Sequence, residues 1–223
     1  MEPTVSGVGV LDKSVLVLNA IADRKLTLVE LVEATGLTRA TAHRLASALE
    51  AHGLLRRTVD GRFALGLHLL ALGREAAVQF PLAERARPAM EELRDRTGES
   101  VQLYVVDGDS RVCVAALESP HGLRTIVPVG AALSLDVGSA GHVLTGTGLG
   151  ELGWVESLGE REPGVASVSA PICDADGAVV AAISVSGPID RMGSSPGRHH
   201  GPAVIEAAVA VKDAASAARP TGT

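Results

Sequence analysis

Two sets of residues in this chain have the types and spacing for chemistry. The first is Arg39, Thr41, His43, Arg44 and Ser47, on the polar side of the segment TRATAHRLASALEA. Ala42, Leu45, Ala46 and Leu49 form the apolar stripe of the same segment at the 3.6-residue period. A core needs only that stripe. The polar set can instead hydrogen-bond to nucleic acid. An arginine can grip guanine O6 and N7 with two bonds, and hydroxyls or an imidazole can meet bases or phosphates. The second set is Ser167, Ser169, Ser184 and Ser186 with the turn Gly138, Ser139 and Ala140. Its chemistry would be the binding of a small polar molecule. The turn opens a short helix whose backbone N–H groups could face an anion.

Other chemistry lacks its parts. Cys113 and Cys173 stand in no metal-ligand spacing, and no cofactor or metal is expected. Gly148, Gly150 and Gly153 match a dinucleotide fingerprint, but no strand precedes them, so the match is discounted. No serine stands in a nucleophile elbow, and His199 and His200 read as a solvated loop pair. The chain is therefore read as a non-enzyme.

The elements around the first set explain its placement. Leu11–Ala22 reads as an amphipathic helix. LTLVELVEATG makes a second helix, with Thr27 and Glu30 at capping-box spacing and Gly36 at its end. Thr38 then caps the segment bearing the polar set. Two short helices joined by a turn of about four residues containing Gly form a helix-turn-helix. LLRRTVDGRFALG follows as two short strands, for which Asp60-Gly61 suits a type I′ turn. This hairpin carries Arg56, Arg57 and Arg62 and completes a winged helix-turn-helix over residues 1–66. The second helix of such a motif lies in the major groove, while wing arginines hold the DNA backbone or the neighbouring minor groove.

Composition agrees once the charge is partitioned. The net charge is −6, but residues 1–66 hold 8 Lys/Arg against 7 Asp/Glu, and the rest holds 12 against 19. Within residues 36–62 five arginines face only Glu50 and Asp60. The Debye length of about 8 Å at physiological salt screens a distant acidic domain from this patch. With Phe63, Phe80, Tyr104 and Trp154 the only aromatic residues, the cores must be built from Leu, Val and Ala. No apolar run reaches membrane-span length, the N-terminus lacks signal-peptide parts, and the cysteines read as buried thiols of a cytoplasmic protein.

GLTRATAHRLASALEAHGLL and DGRFALG resemble the IclR family of bacterial transcriptional regulators. GESVQLYVVDGDSRVCVAALES, LRTIVPVGAALSLDVGSAGHVL and GEREPGVASVSAPI with AVVAAISVSGPI look like its ligand-binding domain. GVGVLDK, GLRTIVPVG, GEREPGVASVSAP and PGRHHGPAVIEAA are most similar to the actinobacterial NdgR-type subgroup, associated with leucine and other amino-acid metabolism genes. The resemblance implies that Arg39, Thr41, His43 and Arg44 contact bases and phosphates of double-stranded operator DNA. It also implies a homodimer or tetramer, a small-molecule effector (an amino acid or related acid) and a GAF-like fold for the second domain.

That domain, residues 81–223, follows a helical linker at 67–80 whose apolar excess suits pairing with a second copy. A helix over residues 82–98 contains Pro88, expected at a first turn or a kink. Val101–Val106 and Arg111–Leu117 read as a hairpin, Leu123–Val129 as a strand, and Ser139–Leu144 as a short helix. Val165–Cys173 and Ala178–Gly187 form a second hairpin, and Ala203–Ala218 a terminal helix. Strands with helices on one side make an α+β domain with an antiparallel sheet. A symmetric turn at 174–177 would set Ser167 opposite Ser184, Val165 opposite Ser186 and Ser169 opposite Ala182. All four serines then share one face, and Ala166, Val168, Ile183 and Val185 the core face. Pattern alone leaves two readings of the serine face: an effector pocket, or small residues tightly covered by a helix. Only residues 147–159 lie between GSAGHVLTG and GEREPG, where the family resemblance implies additional helix. That leaves as alternative a dimerisation module with a vestigial pocket.

Overall fold

The structure, a computed structural model, describes residues 7–217. The chain divides into two compact units, Met1–Phe80 and Pro81–Thr223. The first unit contains α1 (Gly9–Ala22), α2 (Leu28–Thr35), α3 (Arg39–Ala51), β1 (Leu55–Arg57), β2 (Phe63–Leu65) and α4 (His68–Gln79). Its core joins Val17 and Ile21 of α1, Leu31 of α2, the Ala42/Leu45/Ala46/Leu49 stripe of α3, and Leu55 and Phe63 of the hairpin. The capping box is present: the Glu30 N–H donates to Thr27 Oγ1 (3.3 Å) and the Thr27 N–H to Glu30 Oε2 (2.7 Å). Leu26 also bridges to Phe63, tying the start of α2 to the hairpin.

The hairpin turn differs from the expected type I′. The Thr58 N–H donates to the Arg62 carbonyl, and the Gly61 N–H to the Thr58 carbonyl. Only Gly61 has positive φ (+76°), whereas type I′ needs it at both central residues. Asp60 keeps negative φ and accepts from the Thr58 hydroxyl.

The second unit contains α5 (Leu82–Thr97), β3 (Ser100–Asp107), β4 (Ser110–Leu117), β5 (Ala132–Ser134), α6 (Ser139–Thr145), β6 (Val155–Leu158), β7 (Val165–Cys173), β8 (Val179–Pro188), α7 (Ile189–Met192) and α8 (Pro196–Ala217). Its six-stranded sheet runs β5-β4-β3-β8-β7-β6, with every neighbouring pair antiparallel. α5 and α8 cover one face, where Met90, Leu93, Val204 and Val211 meet Leu103, Val168, Ile183 and Val185. Helices are not confined to that side. α6 covers the opposite face, packing Ala140 and Val143 with Tyr104, Cys113 and Ala182.

Several element expectations change. Leu123–Val129 forms no strand; the edge strand beside β4 is β5 instead. The segment still alternates, with Thr125 and Val127 buried and Leu123, Ile126 and Val129 exposed, but Pro128 has no N–H to give to a ladder. Pro88 lies in the second turn of α5, which continues through it. α8 begins at Pro196 rather than at 203, because Glu156 Oε2 accepts the Gly197 N–H (2.7 Å) and Trp154 packs on Gly197 and Gly201. His199 and His200 are therefore helical, not a loop pair. The tail of the expected terminal helix, Ala218, lies outside the described residues.

The β7–β8 register is displaced by two residues from the symmetric-turn expectation. Ser167 faces Ser186, Ser169 faces Ser184, and Val165 faces Pro188. The loop closes through the Asp174 N–H to the Ala178 carbonyl, and a bulge follows at Ile172/Cys173. A shift of one residue would have turned every side chain over; a shift of two preserves both faces. The four serines remain together, and Ala166, Val168, Ile183 and Val185 remain fully buried.

Candidate functional site

In the first unit α3 presents the expected polar face. Arg39, His43 and Arg44 are exposed, and Thr41 and Ser47 half-buried. The Thr38 side chain caps the helix at the Thr41 N–H (3.3 Å) and donates to the Thr41 hydroxyl (2.9 Å). Among the described residues, no carboxylate lies within ion-pair distance of Arg39 or Arg44. Arg39, Ala40 and His43 line an open groove with Leu28 and Arg57. The helix thus offers uncommitted donors along a concave surface.

The wing arginines divide. Arg56 is exposed, and no carboxylate among the described residues pairs with it. Arg57 pairs with Glu50 (3.3 Å) and stacks 4.3 Å from the Phe63 ring centroid. Arg62 pairs with Glu30 (2.8 Å) and Asp60 (3.3 Å). Glu30 is held at about 2, chiefly by the Thr27 backbone and side chain and then by Arg62, so it stays ionised beside that guanidinium. Arg57 and Arg62 therefore brace the hairpin against α3 and α2, and Arg56 is left fully available.

In the second unit the serine face is mostly closed by α6. Ser139 donates to Ser167 Oγ (2.7 Å) and shares a hydrogen bond with Ser169 (2.7 Å), and Ser169 donates to Ser184 (2.8 Å). Ser186 donates to Gln102 Oε1 (2.9 Å). Ser169 and Ser184 are packed structure beneath the helix. Ser139, Ser167 and Ser186 line a small cavity of about 20 Å³, with Gly138 and Ala140 at its edge. Of the two serine pairs on that face, Ser167–Ser186 borders the cavity and Ser169–Ser184 lies under α6.

The remaining walls were not foreseen. They include Tyr104, Arg111, Ser157 and Arg161, with no acidic residue. Arg111 is 2% exposed. Its Nη1 donates to the Ser134 carbonyl and to the Val137 carbonyl (2.8 Å), while its Nε is buried without a partner. The guanidinium lies 5.5 Å from the Tyr104 ring centroid, and burial pushes it below its usual pKa. Burial also holds the Tyr104 phenol up at about 12, so it is a neutral O–H beside the cavity. Gly141 permits this packing: a Cβ there would stand 2.3 Å from the Leu135 carbonyl oxygen and 2.7 Å from Arg111 Nη1.

The α6 end carries its own anion. Glu160 Oε2 accepts the Gly138 N–H (2.9 Å) and bonds His142 Nε2 (2.7 Å). Burial alone would raise the Glu160 pKa, but these contacts bring it below the usual value. The Gly138 N–H expected to serve a ligand is thus already engaged. A signal for the missed residues existed in part, because Arg111 stands on the same alternation as buried Cys113. No sequence pattern marks Arg161, which lies outside regular structure.

Comparison with known proteins covers both units. The model for the IclR helix-turn-helix domain matches residues 10–58, and that for the bacterial transcriptional regulator IclR C-terminal domain matches residues 74–147 and 149–213. The transcriptional regulator KipR of Bacillus subtilis is 36% identical over 119 residues, covering 53% of this chain and 48% of KipR, about half its length. The glycerol operon regulatory protein of Streptomyces griseus is 28% identical, covering 93% of each chain. The structure of an IclR homolog from Microbacterium hydrocarbonoxydans, complexed with 4-hydroxybenzoate, superposes with a TM-score of 0.79 at 23% identity, covering 94% of this chain and 100% of that one. With family models spanning most of its length, and an exposed polar helix face where the helix-turn-helix model matches, the chain belongs to the IclR family of transcriptional regulators, DNA-binding proteins rather than enzymes.

Proposed function

We propose that this protein binds operator DNA through α3 as a dimer or pair of dimers, with its affinity modulated by a small metabolite in the second unit. One observation carries the DNA half: α3 buries its whole apolar stripe and leaves Arg39, His43 and Arg44 exposed. Arg44, with His43 and Thr41 beside it, is placed to read base edges, and Arg39 and Ser47 to reach base or phosphate. Arg56 holds phosphate, while Arg57 and Arg62 position the hairpin and reach the backbone only secondarily.

Dimerisation follows from area and from α4. Single DNA-binding modules bury only about 600–1,000 Å², too little for tight specific binding alone. Within its unit α4 buries no residue, and Leu67, Leu70, Leu72 and Val78 are exposed. That surface suits a second copy.

The effector reading rests on Ser139, Ser167 and Ser186 around the cavity, with Gly138 and Ala140 beside them. Ser169 and Ser184 continue that face beneath α6. The homolog complexed with 4-hydroxybenzoate supports a small organic ligand for this fold. For the regulated genes we retain amino-acid metabolism, which rests only on GVGVLDK, GLRTIVPVG and the related stretches. The site of action is the cytoplasm, where the DNA lies.

A gel shift on the chain's own upstream region tests the first half. Sequence-dependent retardation that weakens with salt is expected, and equal affinity for random DNA would overturn base reading by α3. Calorimetry of small metabolites against the wild type and Ser167→Leu tests the second. Ser167→Leu fills the cavity from the side, and an undiminished ligand response in that variant would place the effector elsewhere.

A further inference from the structure

At the centre of the polar set on α3 stands a residue whose side chain can neither donate nor accept a hydrogen bond. Ala40 is exposed in the first turn, next to Arg39 and three and four positions before His43 and Arg44. Residues at those spacings are neighbours on a helix surface. With Leu28, Arg39, His43 and Arg57, Ala40 lines the open groove of the first unit. Leu28, half-buried at the start of α2, is the second apolar side chain of that groove. The Thr38 and Thr41 hydroxyls of the same turn are engaged with each other (2.9 Å). Ala48 is also exposed on α3, but it is not among the residues that line the groove.

A phosphate offers a methyl group nothing to bind. Base edges in the major groove are donors and acceptors, with one apolar exception, the C5-methyl group of thymine. A 5-methylcytosine carries the same group at the same ring position. We propose that Ala40 is a specificity-determining residue that reads the C5-methyl of a pyrimidine, with Leu28 forming the apolar side of the groove. This rests on base reading by α3 and adds a residue to it. The helix rises about 1.5 Å per residue, so Ala40 and Arg44 lie about 6 Å apart along its axis. Base pairs are spaced about 3.4 Å, so the methyl lies within two base pairs of the guanine that Arg44 reads. Alanine is also short, which lets the helix approach closely enough for His43 and Arg44 to reach the base edges.

Methyl substitution in the operator, located by footprinting on the chain's own upstream region, tests this with the full chain. Uracil in place of thymine removes only the C5-methyl, and 5-methylcytosine in place of cytosine adds only that group. One position per half-site should respond, by a loss of about fourfold with uracil or a gain of about fourfold with 5-methylcytosine, the worth of one buried methyl. Which substitution responds tells whether thymine or a methylated cytosine is the base read. In Ala40→Gly the affinity ratio between methylated and unmethylated DNA at that position should fall to about one. Any loss from a weaker helix start is common to both DNAs and cancels in the ratio. If Ala40→Gly does not fold, Ala40→Ser decides, and should at least halve the ratio. The proposal is overturned if no position responds, if the response persists in the variant, or if it lies more than two base pairs from the preference that Arg44→Ala relaxes. A wild type with equal affinity for operator and random DNA refutes base reading by α3 itself. Operator preference that survives with no methyl response refutes only the role of Ala40.

Discussion

Arg44 on α3 and Arg111 on β4 are the same side chain in opposite settings, and neither has a carboxylate partner among the described residues. Arg44 is exposed, so water solvates its charge and its freedom costs the fold nothing. A polyanion arriving from outside gains counterion release and directed hydrogen bonds. Arg111 is 2% exposed, so its incomplete solvation is a standing cost of several kcal/mol in general for such groups, offset only in part by two carbonyls. The one is open to an external partner, the other is held by the backbone carbonyls of Ser134 and Val137. Exposure rather than residue type assigns the role. Arg57 and Arg62 lie between these cases: exposed enough to be solvated, yet paired with Glu50 and Glu30, they serve the hairpin first.

The largest effect expected on the external side comes from unpairing the copies. Leu70→Glu on α4 places a charge in the proposed dimer seam. Operator affinity should fall by about 10²–10⁴-fold, the avidity lost when two half-sites no longer act together. Sedimentation and gel shift on one- and two-half-site DNA measure it, and an unchanged dimer would remove α4 from the interface.

Next comes Arg44→Ala, which should cost about 1–3 kcal/mol on the operator and relax preference at one position per half-site. Binding to a set of single-base operator variants checks this, and equal losses on operator and random DNA would make Arg44 a phosphate contact. A smaller effect separates the wing arginines. Arg56→Ala should weaken all sequences alike and reduce the salt slope by about one unit. Arg62→Ala should leave the salt slope nearly unchanged and lower thermal stability by about 1 kcal/mol or less, the usual worth of exposed ion pairs. Reversed behaviour of the two would mean that Arg62 leaves Glu30 for DNA.

The smallest effect is at the cap. Thr27→Ala should cost about 1 kcal/mol of stability in the first unit. Because Glu30 is depressed to about 2 when folded, its contribution is present above the unfolded-state value near 4.5 and is lost as pH falls through about 2. Thermal melts of wild type and Glu30→Gln between neutral and acid pH should converge at the acid end. Parallel curves would leave Glu30 with no role in acid stability.

How much was legible varies by element. The helix-turn-helix was legible throughout because its signals are local: caps at Thr27 and Thr38, the apolar stripe of α3, and a hairpin of two short strands. The turn type was misjudged because Asp60-Gly61 suits type I′ by composition, whereas the extra residues between β1 and β2 select a turn with one left-handed position. The serine face was read correctly through a wrong register, since period-two alternation survives a displacement of two. The segment 123–129 alternates like a strand yet has no ladder partner, and no property of the segment itself could have revealed that.

The sequence by itself determined most of the elements with short-range periodicity, the family, the polar face of α3 and the two faces of the β7–β8 hairpin. All of these depend on residues within a few positions of one another. Only the tertiary structure decided which arginines are free, which are paired, and which one is buried. Arg62 finds Glu30 thirty-two positions away, and Arg111 finds the carbonyls of Ser134 and Val137 twenty-three and twenty-six positions on. Solvation of a charge depends on everything packed around it, and those neighbours are set by sheet order and by α6 lying across the serine face, not by spacing along the chain.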